Sequence, residues 1–140
     1  MSLPTKLQLQ IVSAERSVAN ETVDEVEIPG AGGFFGVLPG HTPLLAVLGA
    51  GELWYRQGQE KHYLMIAFGF AEVQADRVTV LAEIAERPSE IDVVRAEAAK
   101  KRAEEQLARP QIDMDAERAR IELMKALIRL QVASRARIRS

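Results

Sequence analysis

Short runs in which apolar and polar residues alternate occupy the chain up to about residue 86. Residues 7–11 alternate strictly, as a strand with one buried face should. A second strand is predicted around residues 23–28, and residues 52–56 and 62–73 are predicted to form a hairpin. Many short strands separated by Gly and Pro favour a small antiparallel β-sandwich or barrel.

The second arm of this hairpin gives a specific expectation about its faces. Leu64, Ile66, Phe68 and Phe70 are spaced two residues apart, so a regular strand would place them on one face. Residues 37–53, in contrast, are interpreted as a rigid loop because Gly and Pro recur through them.

The hydrophobic period changes after residue 87, where a first helix is predicted. Ser89 followed by Asp92 is typical of a helix start, and residues 90–108 are rich in strong helix formers. Pro110 ends this helix, because proline has no N–H to donate and clashes with the preceding turn.

A second helix is predicted to begin at Asp113 or Asp115 and to run to about Ala133. Two helices joined by so short a connection are expected to lie antiparallel. We therefore divide the chain into a β-sandwich domain, residues 1–86, and a helical hairpin, residues 87–140.

The second helix has apolar residues on two opposite sides when they are placed at about 100° per residue. The first side holds Ala116, Ala119, Leu123, Ala126, Leu127, Leu130 and Ala133, and the second holds Ile121, Met124, Ile128 and Val132. A helix with one neighbour needs only one apolar stripe. The first side is expected to pack on the first helix. The second either packs on the β domain or alternates between that domain and a partner protein.

Composition narrows the class of protein. With 47% apolar and 27% charged residues, the 140-residue chain is typical of a soluble globular protein. The absence of cysteine excludes disulfides, thiolate catalysis and cysteine-based zinc sites. No apolar run reaches the roughly 18 residues of a membrane span, and we expect no signal or transit peptide. We find no catalytic set of residues and predict no metal site.

The net charge of −2 is unevenly distributed. Residues 1–88 carry six basic and eleven acidic residues, whereas residues 89–140 carry twelve basic and nine acidic ones. The C-terminal part is therefore expected either to meet an acidic partner or to present an ordinary solvated helix face. Its excess charge is too small to indicate nucleic-acid binding.

Seven of the nine glycines lie between Gly30 and Gly51, but their spacing fits neither a dinucleotide-binding loop nor a phosphate loop. We interpret them as turn glycines. His41, within this region, is expected to be a structural or interface residue, because it lacks partners for metal binding. Phe34 is expected to be exposed at a contact, and Trp54 to lie in the core.

Residues 26–45 read Val-Glu-Ile-Pro-Gly-Ala-Gly-Gly-Phe-Phe-Gly-Val-Leu-Pro-Gly-His-Thr-Pro-Leu-Leu. This run resembles the ε subunit of F-type (rotary) ATP synthases, and the resemblance continues to the C-terminus. It implies a non-catalytic subunit whose β-sandwich binds the γ subunit and rests on the c-ring. The hairpin would extend toward the catalytic α and β subunits and inhibit ATP hydrolysis. The residues that the resemblance places at the c-ring are Phe34, Gly40, His41, Thr42 and Pro43. Many relatives have an acidic residue where this chain has Phe34, so an apolar contact is expected there instead.

Residues 91–96, Ile-Asp-Val-Val-Arg-Ala, resemble the I/L-D-x-x-R-A motif through which certain bacterial ε subunits bind ATP. By position, the resemblance assigns this site to Glu86, Asp92, Arg95, Arg102, Lys125 and Arg129. Cationic side chains on two facing helices suit a polyphosphate, although Lys125 stands where known binders have arginine. The alternative is that Asp92 and Arg95 form an ordinary intrahelical pair. No cofactor is required, and a regulatory ATP, with or without Mg, is the one ligand implied.

The resemblance also implies a second use for the basic residues of the hairpin. When the hairpin extends, an acidic surface of the catalytic β subunit would be met by Arg118, Lys125, Arg129, Arg135, Arg137 and Arg139. The implied location is the cytoplasmic face of the bacterial inner membrane, reached only through the complex, with a plastid-encoded subunit as a minor alternative. The transported ion would be a proton or sodium. A stand-alone nucleotide-sensing module is the alternative function.

Overall fold

A computed structural model describes residues 3–110 and 112–138, with side chains in α2 described to residue 136. The chain divides between Arg87 and Pro88 into two compact units, here called the β unit and the helical unit. The strands of the β unit are β1 (Leu7–Ser13), β2 (Ser17–Val23), β3 (Glu25–Gly30), β4 (Gly33–Val37), β5 (Leu44–Gln57), β6 (Glu60–Val73) and β7 (Arg77–Glu86). The helical unit contains a 3₁₀ turn, η1 (Pro88–Glu90), and the helices α1 (Val93–Leu107) and α2 (Asp113–Ile138).

The strands are ordered β2-β1-β7-β6-β5-β3-β4, and β2 also contacts β5, which closes two layers over one core. Neighbouring strands are antiparallel except β1 and β7, which run parallel from Gln8 beside Arg77 to Ser13 beside Ala82. The predicted fold class, a β-sandwich followed by a two-helix hairpin, is confirmed. The parallel pair is a feature that the sequence pattern did not predict.

The core of the β unit is built from strands that present every second side chain inward. In β1 these are Leu7, Leu9 and Ile11, each fully buried, as the strict alternation predicted. The other fully buried large side chains include Val26 and Ile28 of β3, Leu53 of β5, Leu64 and Ile66 of β6, and Val78 and Val80 of β7. Burying each such side chain stabilises the fold by about 1.5–3 kcal/mol.

Two sequence predictions about the middle of the chain are wrong. Residues 37–53 do not form one loop, because β5 begins at Leu44 and only residues 38–43 separate it from β4. Gly51 lies within β5, and the ring of Phe34 fills the space that a side chain at this position would occupy. A carbon of that ring lies only 2.8 Å from where a Cβ on Gly51 would be. Trp54 is not a core residue either: it is half-buried, and Nζ of Lys61 lies 4.1 Å from the centre of its ring. A cation over an aromatic ring is favoured by the ring quadrupole.

The alternation of β6 reverses in its middle. Phe68 and Gly69 have positive φ angles of 61° and 116°, and these two residues shift the pattern by one position. Leu64 and Ile66 face the core before this step, and Ala71 faces it afterwards. Phe70 is 53% exposed, so the prediction that it shares a face with Leu64 and Ile66 is wrong.

A charged cluster joins three segments of the β unit. Asp24, between β2 and β3, accepts hydrogen bonds from Nζ of Lys6 and from the backbone N–H of Gly58, the latter at 2.6 Å. Arg56 lies 3.8 Å from the same carboxylate and donates to Glu25 at 2.7 Å. The hydrogen bond from Lys6, followed by that from Gly58, lowers the pKa of the Asp24 carboxyl.

The helical unit follows the predicted outline, with a correction at its start. Asp92 is the N-cap of α1, and its side chain accepts a hydrogen bond from the backbone N–H of Arg95 at 3.0 Å. Ser89, predicted to begin the helix, lies in η1 instead. This cap also shows how Asp92 and Arg95 interact: through a carboxylate and a backbone N–H rather than the side-chain pair considered as an alternative. α2 continues past Ala133 to Ile138.

Small residues allow α1 and α2 to pack closely. Ala103 of α1 is 3% exposed, and Ala119 and Ala126 of α2 are 2% and 1% exposed. On the opposite side of α2, Val132 is fully buried, so buried residues occur on both predicted apolar sides. Leu127, expected on the first side, is 46% exposed.

Candidate functional site

The loop of residues 38–43, between β4 and β5, is held by backbone hydrogen bonds. Gly40 has a φ of 87°, which favours glycine, and its N–H donates to the carbonyl of Ala75 at 2.7 Å. The backbone N–H of His41 donates to Leu38, and its Nδ1 donates to the carbonyl of Thr42 at 2.7 Å. His41 is thus fixed by its own loop and half-buried, while Thr42 and Pro43 are exposed.

Phe34, predicted at the same contact as this loop, lies on β4 rather than in it. Its side chain is 58% exposed, and its ring rests on Gly51 and beside Pro29. β4 is an edge strand that leads directly into the loop. The predicted c-ring residues therefore occupy an edge strand and the turn that follows it.

An exposed apolar row crosses the centre of the sheet, and sequence reasoning missed it. Val47 on β5 is paired with Phe70 on β6, and Phe70 is paired with Leu81 on β7. These side chains are 58%, 53% and 53% exposed, and Leu45, two residues before Val47 on β5, is 71% exposed. We call Val47, Phe70 and Leu81 the apolar row. The available signal was Gly69 inside a strand, since an isolated strand glycine often marks a local irregularity.

The predicted nucleotide-binding residues fall in both units. Glu86 ends β7, in the β unit, whereas the remaining five belong to the helical unit. Arg95 and Arg102 are both exposed and, seven residues apart, lie on one flank of α1. The carboxylate of Asp92 already caps α1.

In α2, Lys125 and Arg129 are half-buried and lie one turn apart. Nζ of Lys125 lies 3.8 Å from Oε1 of Glu122, so an acidic side chain already neighbours this predicted phosphate-binding cation.

The remaining residues of the predicted inhibitory face are spread along α2. Arg118 is exposed and Arg135 is half-buried. The side chain of Arg137 and the whole of Arg139 lie outside the part of the molecule that the structure describes. Among the described side chains, no group of three or more His, Asp or Glu residues is arranged to hold a metal ion. Within the same residues, no helix combines the length and the apolarity needed to span a bilayer.

Comparison with known proteins gives a consistent result across the chain. Residues 6–88 match the family described as ATP synthase, Delta/Epsilon chain, beta-sandwich domain. Residues 89–134 match ATP synthase, Delta/Epsilon chain, long alpha-helix domain. The ATP synthase epsilon chain of Solibacter usitatus is 42% identical over 95% of this chain and 99% of its own length. That of Syntrophobacter fumaroxidans is 48% identical over 93% of this chain and 97% of its own length.

Solved structures show the same similarity. One chain of the Euglena gracilis mitochondrial ATP synthase structure containing OSCP, F1 and the c-ring superposes with a TM-score of 0.76 at 25% identity. The superposition covers 97% of the present chain and 84% of the Euglena chain.

Proposed function

The chain belongs to the ATP synthase delta/epsilon family, as an epsilon chain, and from this premise we propose that it joins the γ subunit to the c-ring and restrains ATP hydrolysis. It is an accessory subunit and not itself an enzyme. The proposed location is the cytoplasmic face of the bacterial inner membrane, where it is held through the complex. The ion moved by that complex is a proton or sodium.

The apolar row is the observation that carries the proposed attachment. Three paired side chains, each more than half exposed, form a continuous apolar strip across β5, β6 and β7. Burying the exposed half of each is worth about 1 kcal/mol, so covering the strip contributes roughly 3 kcal/mol. Contiguous exposed apolar surface of this kind marks protein interfaces. We assign this strip to the γ subunit, and the loop of residues 38–43 with Phe34 to the c-ring.

The two contacts are separable by experiment. Phe70→Glu with Leu81→Glu is expected to weaken binding to soluble α/β/γ complexes by at least about 100-fold, because charge would be buried at the apolar strip. Val94→Glu is the matched control, since Val94 is 80% exposed on α1 of the other unit. His41→Ala is expected to leave that binding unchanged and to weaken attachment to membranes that contain the c-ring. Unchanged affinity for the soluble complex in the double variant would refute the γ assignment.

The proposed inhibition depends on the helical unit. Its basic side chains Arg118, Arg129 and Arg135 lie along α2, consistent with contacts to an acidic surface. Exposed ion pairs contribute about 0–1 kcal/mol each, so inhibition is expected to need several of them together with apolar packing. Truncation after Arg87, where the β unit ends, should release ATP hydrolysis by the assembled complex. Hydrolysis that does not respond to the truncation would contradict this part of the proposal.

A regulatory ATP is a second proposal, carried by the cationic flanks of α1 and α2. Arg95 and Arg102 on α1, and Lys125 and Arg129 on α2, provide positive charge suited to a polyphosphate. Binding would compete with the neighbouring Glu122 for Lys125. Isothermal calorimetry on the isolated chain tests the idea, with Arg102→Gln expected to weaken binding and Arg109→Gln as the exposed control. The absence of heat at millimolar MgATP would exclude it.

The alternative of a stand-alone nucleotide sensor is tested by copurification. Recovery of the native chain with α, β and γ supports the rotor assignment, and recovery as a lone monomer contradicts it.

A further inference from the structure

The last residue of the β unit, Arg87, has its side chain bonded within that unit. Nη1 donates a hydrogen bond to the phenol oxygen of Tyr55 at 3.2 Å. Nη2 donates to the carbonyl oxygen of Val18 at 3.3 Å. The guanidinium therefore ties the chain immediately after β7 to both β5 and β2.

Both acceptors are rigid. Tyr55 is 2% exposed, and its ring stacks on that of His62 with the centroids 4.9 Å apart. Val18 is 7% exposed within β2, so its carbonyl is positioned by core packing. Because a guanidinium is planar, two bonds from its separate nitrogens fix its orientation as well as its position. These two contacts hold the end of β7 at the point where the chain leaves the β unit.

Little free chain follows this anchor. Pro88 comes next and begins η1; its ring fixes its own φ and restricts Arg87 to extended conformations. η1 packs against α2, within the helical unit, and the N–H of Ile91 donates to the carbonyl of Pro88 at 3.4 Å. Asp92 then caps α1. The segment that can change conformation is therefore residues 88–91, between the bonded Arg87 and the cap.

We propose that Arg87 is the fixed anchor of a hinge whose moving part is residues 88–91. The hairpin then changes its arrangement by unwinding η1, and the end of β7 stays in place. This inference rests on the proposed restraint of ATP hydrolysis by the helical unit, and on the mobility of the hairpin that the resemblance to ε subunits implies. Without the anchor, the chain can leave the β unit in more directions, so the arrangement adopted by the wild type becomes less populated.

The absence of cysteine from the sequence allows a direct test on the full chain. Gln59→Cys in the β unit and Arg109→Cys in the helical unit are exposed positions for a fluorescent donor and acceptor. Single-molecule energy transfer then reports the populations of hairpin arrangements. In Arg87→Gln, the population of hairpin arrangements other than the main wild-type arrangement is expected to rise about tenfold relative to that main arrangement. This is the size of effect expected when hydrogen bonds from a charged group are lost.

Tyr55→Phe removes one acceptor and keeps the ring, so it should act in the same direction by a smaller factor. Combined with Arg87→Gln it should add nothing, because both changes break the same bond. Arg77→Gln, an exposed arginine at the start of β7, is the matched control and should leave the populations unchanged.

Populations that stay the same in Arg87→Gln would overturn the anchor, as would effects that add in the double variant. The fluorescence of Trp54, in the β unit, checks that each variant is folded. Truncation after Arg87 separates this inference from the inhibitory role. If hydrolysis ignores truncation while the energy-transfer populations respond to Arg87→Gln, the anchor stands and the inhibitory role fails.

Discussion

Gly69 is the position where the structure predicts the largest loss of stability from the smallest change. In Gly69→Ala, the added Cβ would lie 2.0 Å from the carbonyl oxygen of Leu81 and 3.0 Å from Cα of Ala82. These are backbone atoms of β7 and cannot rotate away. Gly69 is also paired with Ala82, so relieving the overlap requires β6 and β7 to separate at this point.

Two costs add in this variant. The φ of 116° at Gly69 is nearly restricted to glycine, and such conformations cost about 1–3 kcal/mol for other residues. Separating the strands sacrifices hydrogen bonds and core packing that together contribute roughly 2–3 kcal/mol. We therefore expect a loss of about 3–6 kcal/mol. Since domains of this size are stable by about 5–15 kcal/mol, Gly69→Ala should remove a large fraction of the free energy of unfolding.

Two other glycines separate these costs. Gly58 has a φ of 62° with open space around its Cβ position, so Gly58→Ala should lose only the left-handed penalty of about 1–2 kcal/mol. Gly36 has open space and no left-handed φ, so Gly36→Ala should change stability by no more than about 0.5 kcal/mol. Urea unfolding followed by Trp54 fluorescence measures all three, because the sole tryptophan lies in the β unit. If Gly69→Ala lost no more stability than Gly58→Ala, the overlap argument would be wrong.

Three further predictions test separate parts of the structure. Lys6 and a backbone N–H lower the pKa of Asp24 in the folded state. The ionised carboxylate therefore stabilises the fold at pH values above the unfolded-state pKa of about 3.9, and this stabilisation is lost as the pH falls through the lower pKa of the folded state. Asp24→Asn should be less stable at neutral pH and show a flatter loss of stability below about pH 4, measured by urea unfolding across pH; parallel profiles would contradict this. Asp92→Ala should cost about 1 kcal/mol of hairpin stability and Asp92→Asn much less, measured by thermal unfolding monitored by circular dichroism; equal losses would argue against the cap. Ala103→Leu should destabilise the hairpin by about 1–3 kcal/mol, since Ala103 is 3% exposed, whereas Ala98→Leu at an exposed position should be neutral in the same assay.

The parts of the fold that the sequence predicted are those where local patterns decide the structure. The strict alternation of residues 7–11 identified β1, and Pro110 separated the two helices. β2 was missed because its buried residues, Val18, Ala19 and Val23, do not alternate along the strand. The parallel pairing of β1 with β7 could not be predicted for another reason: it joins strands that are distant in the sequence, and no local pattern encodes which distant strand becomes a neighbour.

The candidate site also has a part that the sequence predicted and a part that it did not. Resemblance supplied Phe34 and the loop around His41, because motifs are properties of the sequence itself. It did not supply the apolar row, since Phe70 is apolar in an alternating strand and regular geometry places it inside. Only the positive φ angles of Phe68 and Gly69 turn it outward. A non-glycine residue such as Phe68 gives no sequence signal for a left-handed conformation.

The reversal at Phe68 and Gly69 connects the fold to the proposed contact with γ. Continued alternation would bury Phe70 and leave Ala71 outside, so the sheet would present a small side chain between Val47 and Leu81 in place of a ring. The reversed strand also places Glu72 on the exposed face, two residues beyond Phe70, and Glu83 is exposed two residues beyond Leu81 on the neighbouring strand. An apolar strip with carboxylates beside Phe70 and Leu81 can provide the apolar centre of an interface. Residues 1–88 are acidic overall. The surface of γ that covers the strip should therefore be apolar at its centre and basic around it. The opposite charges would speed association, and the apolar contact would slow dissociation.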